Sequence, residues 1–367
     1  TPQVTGTTLL SPITRKNVQV IKILFNFAHC LGGLLGSSWY LLLKNFQMFE
    51  SIMTRDNFKG ELDEDLKILD AALNHLFKST EDLDSEALEI VLKALCSLSK
   101  DTLKNSSDSP RLFGASKLVE TVQINAKRVN FIWSYFSAHI LFLVEHQDES
   151  VRKFGVDSVA SVILAIIRPE YNTFTDEQTV VDSGLEQNIF SIFALIFASK
   201  YKDVKERALH AINNLIHKCG QVMSGSWPII LPILTACCEE ADPNSDKPSL
   251  DPKYIPIAFK GVQTIGNEFL QSLSNDFLLQ YLETVGMFAR QNRAADVNIS
   301  LVSVGLFMGI ADYLAAENNL TDLWIKLFFQ FVNTITDVRP EVRHASLRTL
   351  TFIMTSCGEK FGEDCWN

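Results

Sequence analysis

The sequence predicts an all-α chain of stacked helix pairs, an α-solenoid of the HEAT or armadillo type, on three observations. Apolar residues recur at helical spacing through most of the 367 residues. The runs between turn signals lack the period-two alternation of strands. One local pattern also returns along the chain. In its fullest copy an acidic turn at Asp337 precedes Val342-Arg343, a small residue at Ser346, and apolar residues at Leu350, Ile353 and Met354. That spacing sets one apolar stripe on a helix, with the small residue admitting a close neighbour and the cation at the polar edge.

The same offsets follow Asp148, with Val151-Arg152, Gly155, Val159, Val162 and Ile163, and Asp203, with Val204-Lys205, Ala208, Ile212, Leu215 and Ile216. A degenerate copy, Ile299-Ser300, Ser303, Phe307 and Ile310, lacks the cation. Measured at residues 152, 205, 300 and 343, the separations are 53, 95 and 43, the middle one close to two repeats. Helix-pair repeats recur at roughly 40–47 residues, so a chain of this length holds about eight or nine pairs.

Composition suits that fold. Hydrophobic residues make up 47% of the chain, with 25 Phe and only 11 Pro, as in a packed helical protein. The net charge of −10 disfavours a nucleic-acid partner, because neutralising phosphates requires a basic face. The seven cysteines, at 30, 96, 219, 237, 238, 357 and 365, contain no C-x-x-C or zinc spacing and read as reduced, packed thiols. N-x-S/T sequons occur at Asn105, Asn298 and Asn319, but Asn298 opens a helix expected to be buried, which favours a cytosolic chain. Val18 to Leu43, the longest apolar stretch, is interrupted by Lys22, Asn26 and His29 and reads as a core helix pair. The chain starts without Met and stops at Trp366-Asn367, and is expected to be a fragment of a longer protein.

The elements follow in order. Residues 1–16 read as an irregular lead-in, and 17–367 as a single continuous solenoid. Asn17 caps a helix to about His29; Gly32, Gly33 and Gly36 punctuate the connection to a second helix, 38–53. An acidic turn at 55–66 precedes helices at 66–78 and 84–99, the latter capped by Asp84 or Ser85. A polar loop near 103–111 leads to helices at 113–124 and 128–144. The helix 149–167 ends before Pro169, which disfavours helix in the preceding residue. After a loop near 169–183 come helices at 184–199, 203–219 and 228–238, the last entered through Gly225-Ser-Trp-Pro228. Residues 239–252, with three prolines, form a flexible loop. Helices at 254–272, 275–290, 296–315, 320–335 and 341–356 complete the chain.

Searching for chemistry yields no dinucleotide fingerprint, Walker loop or H-E-x-x-H, so no cofactor, metal or catalytic residue is assigned and an enzyme is not expected. Ser97-Leu98-Ser99-Lys100 matches S-x-x-K without its companion motifs. His139/His146 and His210/His217 share helix faces, yet nothing beside them completes a ligand set. Cations recur at equivalent repeat positions: Arg152 and Lys153, Lys205 and Arg207, then Arg339, Arg343 and Arg348. Stacked, they form either a ridge for an acidic partner or anionic lipid, or an internal charge ladder alternating with the Asp residues; the ladder is favoured.

Several segments resemble one family. Leu112-Phe113 with Ala115-Ser-Lys-Leu-Val-Glu120 and Trp133 resembles the helix pair downstream of the catalytic domain in the large Arf guanine-exchange factors and their non-exchanging relatives, the monensin-sensitivity (Mon-two) family. Asn298-Ile-Ser-Leu-Val-Ser-Val-Gly-Leu-Phe-Met-Gly-Ile-Ala-Asp-Tyr-Leu314 is similar to the Mon-two pattern N-I-S-L-T-x-x-G-L-x-W-N-I-S-D-Y, with Met308-Gly309 replacing Trp-Asn. Asp337 to Arg343 resembles D-P-R-P-x-V-R, and Gly225-Ser-Trp-Pro228 resembles G-x-W-P. The resemblance implies a cytosolic scaffold peripherally attached to trans-Golgi and endosome membranes, active in retrieval and protein transport. It implies as partners a Dopey-type scaffold, a lipid flippase and Arf- or Arl-type GTPases, with phosphoinositide contact and homodimerisation as further expectations. The exchange domain's F-R-L-P-G-E motif is missing from the chain. Two alternatives stay open: the regulatory downstream region of a true Arf exchange factor, and a phosphoinositide-binding recruitment module.

Overall fold

A computed structural model describes residues 15–53, 63–105, 110–168, 170, 172, 181–239, 250–294, 297–317 and 320–361. Most of the lead-in, the 55–66 turn and the three predicted loops lies outside the described residues, as do Asn319 and Cys365. The fold is all-α: the described residues form helices and no strands. Contacts cluster into two compact units, Thr1–His139 and Ile140–Asn367.

In the first unit α1 (Arg15–Leu31), α3 (Asp63–Lys78) and α5 (Phe113–Ile124) stack in one layer, against α2 (Ser38–Met53) and α4 (Ser85–Asn105). α6 (Val129–Val144) runs across the boundary. α4 extends six residues beyond the predicted 99, because Leu103 continues the buried stripe of Leu92, Leu95 and Ser99. Its start is fixed by Asp84, whose carboxylate accepts the Ala87 N–H at 2.8 Å. At Gly114 a Cβ would lie 2.9 Å from the Ser99 backbone nitrogen, so α5 meets α4 at backbone distance.

In the second unit α7 (Glu149–Ile167), α9 (Lys202–Cys219), α11 (Tyr254–Thr264), α13 (Asn298–Ala316) and α15 (Pro340–Cys357) form one layer, each touching the next. α8 (Ser183–Phe197), α10 (Trp227–Ala236), α12 (Asn275–Arg290) and α14 (Thr321–Ile335) form the other. Sequence neighbours alternate between layers and helices two apart are spatial neighbours, the arrangement of stacked helix pairs. Trp227, Tyr281, Phe190, Phe193, Phe288 and Phe307 fill the space between them. The repeat's small residue works as its spacing predicts: a Cβ on Gly155 would stand 3.1 Å from Leu143 and Val144, and Ala208, Ser303 and Ser346 are fully buried. α13 is long and apolar enough to span a membrane, but half of it is buried in this layer.

The predicted helix 254–272 differs. After Thr264 the chain makes one π-helical turn, Ile265–Phe269, and a 3-10 turn, Leu270–Ser272. The cause lies in α12: the Tyr281 hydroxyl donates to the Val262 carbonyl at 2.8 Å, and a Cβ on Gly266 would come within 2.3 Å of that oxygen. The wider turn houses a buried phenol, and Gly266 leaves it room.

Candidate functional site

The cationic repeat positions are the natural place to look for a site, and α7 shows how they are built. Asp148 caps the helix, accepting N–H groups from Ser150 at 2.7 Å and Val151 at 3.4 Å; the Ser150 hydroxyl and those amides hold its carboxyl below the usual range. Arg152 follows one turn later, buried. Its Nε donates to Asp203 Oδ2 at 2.8 Å, its Nη1 to the His146 and Gln147 carbonyls at 3.0 and 2.7 Å, and its guanidinium lies 4.1 Å from the Tyr201 ring centre. Arg343 repeats half of this, donating through Nη1 to the Asp337 and Val338 carbonyls, both at 2.9 Å. In these two copies the arginine of the valine-basic pair closes the turn before its own helix.

Other cations cross between helices of the layer. Arg207 on α9 makes a two-point contact with Asp157 on α7, at 2.6 and 2.7 Å. Lys202 reaches Asp251 at 3.3 Å and Lys253 reaches Glu206 at 2.7 Å, tying α9 to the entry of α11. Arg339 grips both oxygens of Asp337 and donates to the Ala289 and Gln291 carbonyls and the Ser300 hydroxyl. Lys205 lies over the Phe197 ring, and burial lowers its pKa. Arg152, Arg207 and Arg339 are thus rungs between acids and carbonyls. Lys153 and Arg348 are exposed and make no ion pair among the described residues.

Between α7 and α9 the rungs floor a furrow. One basin of about 300 Å³ is lined by Glu149, Arg152, Lys153, Asp203, Arg207 and His210. A second, of about 420 Å³, begins at the same Arg207 and His210 and runs past Ser161, Asn214 and Lys218. The furrow carries both signs of charge, and its central pair, Arg207–Asp157, spans it.

The G-x-W-P segment is explained by a residue that sequence reading passed over. Glu186, buried on α8, accepts backbone N–H groups from Ser224, Gly225 and Ser226 and the Ser224 hydroxyl, all between 2.9 and 3.1 Å. Gly225 is required there, since a Cβ would overlap the Ser183 carbonyl oxygen at 2.0 Å. The available signal was a single carboxylate inside the otherwise uncharged helix 183–197.

Ser99 of the S-x-x-K match meets His139, with 3.0 Å between Oγ and Nε2, but both are sealed in the core, out of reach of any substrate. Burial pushes His139 down to about 4 and raises the thiols of Cys96, Cys219, Cys237 and Cys238. Such thiols are poor nucleophiles. Among the described residues no three His, Cys, Asp or Glu side chains are placed to hold a metal.

Known proteins resemble the chain in sequence along nearly its whole length. A model described as "Mon2/Sec7/BIG1-like, HDS" matches residues 173–251, which hold Glu186 and the loop it cradles. The Protein MON2 homolog of Xenopus laevis is 26% identical over 99% of this chain, and that of Drosophila melanogaster 25% over 96%. The chain is a Mon2 relative. It spans 23% of the length of those two proteins. Brefeldin A-inhibited guanine nucleotide-exchange protein 4 of Arabidopsis thaliana is 21% identical over 80% of the chain, linking this Mon2 relative to the Arf exchange factors as well. It is therefore a relative of membrane-trafficking proteins.

Proposed function

We propose that this chain is a non-catalytic scaffold region of a peripheral Golgi and endosome trafficking protein, acting in retrieval by binding other proteins. The observation that supports it most is likeness to Mon2 proteins along nearly the whole chain; the described residues add caps, rungs and the Glu186 cradle, all of which serve to build a scaffold. The partners proposed are a Dopey-type scaffold, a lipid flippase and Arf- or Arl-type GTPases. Stacked helix pairs present long, rigid surfaces for such binding.

A cross-linked pull-down with this chain, from cytosol and detergent-solubilised Golgi membranes, tests the reading. Charge reversal belongs at Lys153 and Arg348, which are exposed, rather than at Arg152 or Arg343, whose loss would damage the fold. Recovery of a Dopey-like protein or a flippase supports the scaffold reading; recovery of neither, from both sources, overturns it. The second reading, a regulatory region of an Arf exchange factor, draws on the Arabidopsis relative. It requires an exchange domain in the same gene product.

A further inference from the structure

The rungs of the second unit spend their charge inside the layer. In the first unit two titratable side chains meet at the surface instead. His29 stands in the last turn of α1 and His75 in the last turn of α3. These helices pack side by side, and the two imidazole rings touch, with centres 4.9 Å apart and 64° between their planes. Both side chains are exposed, and neither makes a hydrogen bond or ion pair among the described residues. A helix-to-helix pair of imidazoles with no polar partner is a pair of open ligands.

Imidazole is the commonest side-chain ligand for divalent transition ions. Zinc binds an imidazole nitrogen at about 2.0–2.1 Å, so two rings on one tetrahedral ion have centres about 5 Å apart. The separation of His29 and His75 matches that spacing. An exposed ring turns easily about its Cβ–Cγ bond, which lets a nitrogen of each reach a shared point. Both rings also lie at helix C-termini, where unsatisfied carbonyls carry partial negative charge and favour a cation. Lys78, one turn after His75, is the opposing charge on α3, and its exposed side chain extends freely into solvent. Among the described residues no third His, Cys, Asp or Glu completes the set. An ion held here therefore keeps water in its other positions, as open zinc sites do.

We propose that His29 and His75 form a binding site for one zinc ion, which fastens the end of α1 to the end of α3. The site lies in the first unit, apart from the basic repeat positions. It does not depend on which protein partner the scaffold holds.

Titration calorimetry of zinc chloride into the metal-free 367-residue chain tests it, together with thermal melting across the same zinc concentrations. Zinc binding is expected, with a melting temperature that rises as zinc is added, because an ion bound only by the folded chain stabilises it. His29→Gln and His75→Gln, made singly, should each weaken that binding at least about tenfold and abolish the rise. The metal-free variants should melt as the native chain does, because both side chains are exposed. Cys30→Ser, which removes the exposed thiol beside His29, should leave zinc affinity unchanged. Magnesium should produce no rise, since it takes oxygen ligands. Zinc binding that is undetectable, or that survives either histidine variant, overturns the proposal. So does its loss in Cys30→Ser, since the ion would then belong to the thiol. Failure of the pull-down leaves these zinc outcomes standing, and the reverse holds as well.

Discussion

Arg152 and Lys153 are adjacent cations with opposite fates, and the difference is set by one step of helical rotation. Arg152 turns inward to Asp203 and two carbonyls; Lys153 turns to solvent. Replacing Arg152 by Met leaves Asp203 and both carbonyls without their donor. It should cost about 2 kcal/mol, reduced from the value for a fully buried pair because Asp203 is partly exposed. Lys153→Met should change stability by less than about 0.5 kcal/mol. Urea unfolding midpoints of the two variants measure the contrast directly. Similar costs for both would mean that the ladder does not hold the layer together. A linear sequence marks both residues as basic and leaves the inward turn unmarked, which is why ridge and ladder were both open. Glu186 was less legible still, because its partners are backbone amides 38 to 40 residues away.

Several helix starts were legible from a local signal, although Asn17, read as a cap, lies inside α1, which begins at Arg15. Asp84, Asp148 and Asp182 cap α4, α7 and α8 through hydrogen bonds spanning two or three residues, well within the reach of sequence reading. Asp148→Ala should cost about 1 kcal/mol. Gly225→Ala should cost more, about 1–3 kcal/mol, since the added methyl meets the Ser183 carbonyl and forces the cradle around Glu186 apart. Circular dichroism melts rank the two variants, and an Ala at 225 tolerated better than an Ala at 148 would contradict the close approach. The π turn after Thr264 was not legible, because its cause is a phenol on the next helix. Tyr281→Phe should cost about 1 kcal/mol by removing the buried hydrogen bond to the Val262 carbonyl, which keeps the Ile265 N–H.

For the whole molecule the buried imidazole of His139 sets an acid limit, and the sign follows from where the proton goes. Its ordinary pKa is 6.5, and desolvation lowers it in the folded chain to about 4. Above the ordinary value the ring is neutral in both states and contributes no pH dependence. As pH falls through that value, the unfolded chain takes a proton that the folded core refuses, so stability declines until the folded pKa is reached. The gap corresponds to a loss of about 3 kcal/mol. The window includes the mildly acidic range, so the chain should melt measurably lower at pH 5 than at pH 7. Carboxylates add their own slope, and Asp337, held down by Arg339, adds it near and below the ordinary carboxylate range. The informative quantity is therefore the difference between the native chain and His139→Gln, whose amide can keep the hydrogen bond to Ser99. The variant should start less stable at pH 7 and approach the native chain as pH falls to 5. Parallel melting curves for the two proteins across that range would show that the imidazole is protonated in the folded core, and the acid limit would have to come from the carboxylates alone.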